Sequence, residues 1–150
     1  MASTTVKNIV RTWFKKGALE TDPFNKFVCF WISFNAIYMS RYPVDGDKAC
    51  IKEVKKDTHF ASEYKGLLKE HAFQSKIHAL IALGTITNEK NGDRYSFSAN
   101  DFPALIEVLY QIRNNLFHGG KDISEKRDLD VVSAAHPILS ELLTKFMTYI

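Results

Sequence analysis

The segment Asp22-Pro23-Phe24-Asn25-Lys26-Phe27-Val28-Cys29-Phe30-Trp31-Ile32-Ser33-Phe34-Asn35-Ala36-Ile37-Tyr38 begins with the chemistry of a helix start. An aspartate at the N-cap can accept hydrogen bonds from the first free amides, and proline is tolerated at the first helical position because its missing N–H is not needed there. From Phe24 to Met39 the apolar residues Phe24, Phe27, Val28, Phe30, Trp31, Phe34, Ile37 and Tyr38 cover nearly every side of a helical wheel. A helix that is apolar all round is central and packed on several faces. Asn35 is the polar exception within it.

Outward from this helix, the rest of the chain supplies the packing partners. Val6, Ile9, Val10, Trp13 and Phe14 recur at three and four residues, which predicts a helix from Ser3 or Thr4 to a stop at Gly17. Arg41 to Gly46 reads as a turn. Residues 47–70 are charge-rich, with Lys52, Glu53, Lys55, Lys56 and Asp57 close together, and read mainly as a solvated helix or a mobile connection. A helix is expected from Ala72 to Leu83, ended by Gly84. Between Thr85 and Phe97 the pattern shifts, and Asn91-Gly92 is a turn signal for a small hairpin or a long loop. Asn100 or Asp101 then caps an amphipathic helix with Pro103 near its start and Phe102, Leu105, Ile106, Leu109, Ile112 and Leu116 on one face. A last helix is expected from Ser124 to the end, with Leu129, Val132, Ile138, Leu139, Leu142, Leu143 and Phe146 inside and a kink or break at Pro137. The fold class is all-α, in one domain.

Composition agrees with this class. The 150 residues include only 7 Gly and 4 Pro, too few for the many tight turns of a sandwich or barrel. The formal charge is +3, and Lys7, Arg11, Lys15 and Lys16 against Glu20 place all of that excess in residues 1–20. So small a total neither requires nor excludes a nucleic-acid partner. Cys29 and Cys50 form no metal-ligand spacing, and free thiols in a reducing, cytoplasmic setting are expected. The longest apolar run, Phe27 to Met39, is too short for a bilayer, so no membrane partner is expected, and Lys7, Asn8 and Arg11 interrupt the first apolar stretch, so no signal peptide is expected.

One segment does not read as packing. Arg113-Asn114-Asn115-Leu116-Phe117-His118-Gly119-Gly120-Lys121 ends an amphipathic helix with a cation, two amides, an imidazole and two glycines. Helix-end chemistry explains part of it, since glycine permits a left-handed turn and cations complement the negative end of the dipole. A catalytic explanation competes with it. Five helical steps set Arg113 and His118 about 140° apart and about 8 Å along the axis, so one copy makes a poor closed site. Two copies about a two-fold axis could gather two arginines and two histidines in one groove. Arginine binds phosphate oxygens with a planar fork, and histidine exchanges protons near neutral pH.

The spacing Arg113-Asn114-Asn115-Leu116-Phe117-His118, the continuation His118-Gly119-Gly120-Lys121 and the aromatic Phe30-to-Tyr38 helix resemble the HEPN superfamily of small helical proteins. The resemblance covers the whole chain. It implies a HEPN-like helical bundle with the hairpin or loop near residues 85–97 as an insertion, dimerising through the motif-bearing helices. It further implies a metal-independent endoribonuclease of toxin–antitoxin or other defence systems, with RNA as substrate and no cofactor. On that analogy Arg113 holds the scissile phosphate, and His118 activates the ribose 2′-hydroxyl or protonates the leaving oxygen. Asn114, Asn115 and Lys121 support the pair or touch RNA. An antitoxin or nucleotidyltransferase is the partner the analogy brings with it. However, Gly120 stands where one subgroup carries the tyrosine that its nucleotidyltransferase antitoxin modifies, a departure from that subgroup's pattern. Other members of the superfamily are catalytically silent dimers that bind proteins or nucleotides, which is the alternative function.

Other polar residues carry less. His59, His71, His78 and His136 are scattered and offer no metal ligand set. Asn35 fits a hydrogen-bonded core amide better than a catalyst or a supporting role behind His118. Tyr110 and Phe117 could stack a base, although core or dimer packing accounts for both. Lys15, Lys16 and the Lys52, Lys55, Lys56 run could steer RNA, although solvated helix faces account for them.

Overall fold

The computed structural model describes residues 2–117 and 125–150. Among these, seven α-helices and one two-stranded ribbon form an all-α fold: α1 (Thr4–Leu19), α2 (Pro23–Arg41), α3 (Asp47–Lys56), α4 (Thr58–Leu67), α5 (His71–Ala82), β1 (Ile86–Thr87), β2 (Arg94–Tyr95), α6 (Phe102–Phe117) and α7 (Lys126–Phe146). A short 3-10 turn, Met147–Tyr149, follows α7.

The central helix is α2. Asp22 Oδ1 accepts from the amides of Phe24 at 2.8 Å and Asn25 at 3.1 Å, and Pro23 takes the first position. Nine of its side chains are buried, including Phe27, Trp31, Phe34 and Tyr38, and they pack against α1, α3 and α7. Ser33, also buried, satisfies its hydroxyl on the Val10 carbonyl at 2.8 Å. Trp31 stacks on Tyr110 of α6, and Phe34 meets Phe146 of α7, so aromatic rings join these helices through the core.

Four sequence expectations are corrected. The first concerns Gly17, which does not end α1; the helix continues to Leu19. A Cβ at Gly17 would lie 2.7 Å from the Phe30 ring, so glycine is there to let α1 and α2 approach. Second, the charged stretch from residue 47 is two packed helices. Cys50, Ile51 and Val54 of α3 and Phe60, Tyr64 and Leu67 of α4 are all buried, while Lys48, Lys52 and Lys56 take the outer face of α3. Third, Pro137 does not split α7, which is one helix from Lys126 to Phe146. The carbonyl that proline leaves without a donor belongs to Ser133, which is exposed, so water can replace the lost bond. Fourth, Leu129 is 39 % exposed instead of interior, at the outer edge of the first turn of α7.

Asp57 ties the end of α2 to the start of α4. Its carboxylate accepts from Arg41 Nε at 2.7 Å and Tyr42 Oη at 2.6 Å, and it also caps α4 through the amides of His59 and Phe60. Burial raises the pKa of such a group, but the bonds from Arg41 and Tyr42 outweigh it and hold the carboxyl below its usual range.

The ribbon is antiparallel, with Ile86 opposite Tyr95 and Thr87 opposite Arg94. Gly92 takes φ +80°, the left-handed turn position that Asn-Gly announces. A two-stranded ribbon is marginal alone. Here Ile86 is buried against the core, and α6 supplies polar anchors through Gln111 and Asn115. Both cysteines are free and buried. Among the described residues no helix is long and apolar enough to cross a membrane.

Candidate functional site

Arg113 lies in the last turns of α6, reached from the Asp101 N-cap, whose Oδ1 accepts from the Ala104 amide at 3.1 Å. Its side chain is 19 % exposed, and the guanidinium is held on three sides. One terminal nitrogen donates to Asp47 Oδ2 at 2.8 Å, the other to Asn114 Oδ1 at 2.9 Å, and the Phe117 ring lies 4.6 Å beneath the guanidinium carbon. Arg113 Nε is buried and has no hydrogen-bond partner among the described residues.

Asp47 is the first residue of α3, where the helix dipole favours a carboxylate. The preceding Gly46 reaches φ +89°, a backbone turn that sets this helix start beneath α2. Asp47 Oδ1 accepts from Asn35 Nδ2 and from Tyr38 Oη, both at 2.7 Å, and Asn35 also donates to Tyr38 Oη at 3.0 Å. Burial first, and then the bond to Asp47, push the Tyr38 hydroxyl well above its ordinary pKa, so it stays protonated and donating. Three helices therefore converge on one carboxylate: α2 through Asn35 and Tyr38, α3 through Asp47 itself, and α6 through Arg113. With three acceptor sites on Asp47 occupied, the Arg113 fork is fixed in rotation and keeps N–H groups that neither Asp47 nor Asn114 uses.

The two asparagines of the motif do different work. Asn114 is buried and serves Arg113 directly. Asn115, one residue on and also buried, faces the ribbon: its Nδ2 donates to the Thr87 carbonyl at 2.8 Å and its Oδ1 accepts from the Glu89 amide at 3.0 Å. Gln111, one turn earlier, extends this anchor. It accepts from Asn88 Nδ2 at 2.7 Å and donates to Glu107, which Lys55 pairs at 2.6 Å. The expected supporting roles thus separate into a guanidinium partner and a ribbon clamp. His118 and Lys121, the other expected site residues, lie outside the described residues, as do Gly119 and Gly120.

Phe117 is 44 % exposed under the guanidinium, whereas Tyr110 is packed on Trp31. Sequence reasoning does not place Asp47 or Tyr38 at the site. Asp47 follows a stretch that reads as a turn, and only the position of an acid at a helix start marks it in the sequence. No group of three His, Cys, Asp or Glu among the described residues could hold a metal ion. Beside Asn115, an opening of about 220 Å³ is lined by Thr87, Glu89, Ile112, Arg127 and Val131 among others. It is smaller than the ~300–1,000 Å³ of small-molecule pockets.

Comparison of the chain with protein-family models, with curated proteins and with solved structures returns no match.

Proposed function

We propose that the chain is a HEPN-like, metal-independent endoribonuclease that works as a homodimer through the ends of its α6 helices, in a toxin or other defence setting in the cytoplasm. The observation that carries this reading is the fixed Arg113 guanidinium, anchored by Asp47, backed by Phe117 and with N–H groups that neither Asp47 nor Asn114 takes. Preorganised positive charge is what a phosphodiester transition state requires. The half-exposed Phe117 beside it supports a subunit contact at the same place.

In this mechanism Arg113 binds the non-bridging oxygens of the scissile phosphate. One His118 takes the proton of the ribose 2′-hydroxyl as its oxygen attacks phosphorus. The O2′–P bond forms, the P–O5′ bond breaks, and the second His118 of the dimer protonates the leaving O5′. The products are a 2′,3′-cyclic phosphate and a 5′-hydroxyl. Asn114 holds the inner edge of the guanidinium, and Lys121 adds positive charge for the RNA.

The Asp47 pairing also favours a second reading. A guanidinium already neutralised by a carboxylate is a weaker phosphate ligand, which fits a silent HEPN-like dimer that binds a protein or nucleotide. Mixed RNA incubated in EDTA with wild type, Arg113→Ala and His118→Ala separates the two, with sedimentation of each protein alongside. The nuclease reading expects a dimer whose cleavage is lost in both variants. A dimer with equal, negligible cleavage by all three proteins supports the silent module, and a strict monomer overturns the shared groove.

A further inference from the structure

Outside this site, the most one-sided charge in the molecule lies on α1. Between Thr4 and Leu19 it carries Lys7, Arg11, Lys15 and Lys16 and no acidic residue. Lys7, Arg11 and Lys15 are four residues apart, so each step advances about 6 Å with a drift of about 40°, and the three form a row about 12 Å long. None of the three has an anionic partner among the described residues. By contrast, Arg41, Lys55, Lys76 and Arg113 each meet a carboxylate within 2.8 Å.

Helix stability does not explain the row. Lys7 sits in the first turn, where the helix dipole disfavours a cation, and like charges four residues apart repel. A cost without an intramolecular return points to an external anion. Polar donors interleave the cations, since Thr4, Asn8 and Thr12 are exposed on the same side. Hydroxyl and amide groups of this kind donate to phosphate oxygens. A bilayer surface would need apolar side chains beside the cations. Here Val6, Val10, Phe14 and Gly17 face the core; of the large exposed apolar residues of α1, Ile9 lies more than ~100° round the helix from the row of cations and Leu19 stands at the far end.

We propose that the outer face of α1, centred on Lys7, Arg11 and Lys15, binds the phosphodiester backbone of RNA without reading its bases. The choice of RNA among polyanions rests on the ribonuclease reading. The surface acts as a track that retains substrate at the dimer.

The test is fluorescence anisotropy of a fluorescein-labelled, mixed-sequence single-stranded RNA across a salt series, with cleavage followed on the same proteins. Three full-length proteins are compared: wild type, Lys7→Gln/Arg11→Gln/Lys15→Gln, and a control of equal charge loss, Lys65→Gln/Lys69→Gln/Lys145→Gln. The α1 variant is expected to bind about tenfold more weakly at low salt, with a log–log salt slope shallower by about 2, at ~0.7 for each phosphate no longer neutralised. The control keeps the slope of wild type. Equal slopes and affinities for wild type and the α1 variant overturn the proposal, as does binding of wild type to phosphatidylserine vesicles but not to RNA. If wild type cuts no RNA while the slope still falls in the α1 variant, the nuclease reading fails and the track stands. If wild type cuts RNA and the α1 variant is unchanged, the track fails and the nuclease stands.

Discussion

Asp47 Oδ2 and the Arg113 guanidinium, 66 residues apart in sequence, meet at 2.8 Å and join the start of α3 to the end of α6. Asp47→Asn preserves the acceptor that Asn35 and Tyr38 use, but it turns an amide donor toward the guanidinium. Stability should fall by about 1–3 kcal/mol, the usual cost of leaving a part-buried charged donor unmatched. A double-mutant cycle with Arg113→Gln in urea unfolding checks this. Strictly additive effects would show that the two side chains do not support one another.

Gly17 gives a sharper packing prediction. Alanine should improve helix propensity by up to about 1 kcal/mol. The structure predicts the opposite net sign, because the new methyl would stand 2.7 Å from the Phe30 ring. Overpacking of this kind costs about 1–3 kcal/mol. Gly17→Ala should lower the unfolding midpoint, and Phe30→Leu in the same chain should recover part of the loss relative to the sum of the single changes.

For Asn115 the expected effect is local. Asn115→Ala removes both side-chain bonds to the ribbon, so the Glu89 amide should exchange its hydrogen faster while amides in the middle of α6 keep their protection. Unchanged exchange at Glu89 would mean that Asn115 does not anchor the ribbon.

Acid should weaken the fold in two stages. His136 is pulled down to a pKa of about 4, first by burial and then by the nearby Lys26 charge. The unfolded imidazole titrates near ~6.5, so between these values the unfolded chain binds the extra proton and stability falls as pH drops. Below the lower value this contribution is exhausted. Asp57 then takes over: its carboxyl is held low, so the stability it contributes above the unfolded carboxylate pKa is lost as pH falls through its own. Urea unfolding of His136→Leu should show a flatter profile between neutral pH and about 4 while keeping the steeper acid limb.

Features set by near neighbours are legible in the sequence itself. Asp22-Pro23, Asp101 with Pro103 and Asn91-Gly92 each act within one turn of chain, and each occupies its expected cap or turn. Arg113 and Asn114 stand out because their chemistry has no packing explanation at a helix end. The less legible parts depend on distant chain. Gly17 reads as a helix stop because nothing beside it in sequence announces the Phe30 ring. Lysines dilute the apolar spacing of Cys50, Ile51 and Val54, which hides a packed helix in a charged stretch. Asp47 resembles an ordinary turn acid because its partners lie 12, 9 and 66 residues away. Asn35 reads correctly as a hydrogen-bonded amide, but that its bond leads to Arg113 through Asp47 is a tertiary fact.

Everything proposed for the site depends on His118 and Arg113 cleaving RNA through the ribose 2′-hydroxyl. End-group analysis of an RNA and its all-2′-deoxy counterpart, after incubation in EDTA with wild type and with His118→Ala, probes that chemistry without intermediaries. Wild type should leave 2′,3′-cyclic phosphate and 5′-hydroxyl ends on RNA only, with the deoxy strand and the His118→Ala reaction intact. Cutting of the deoxy strand, 3′-hydroxyl products, or equal cutting by His118→Ala would refute it.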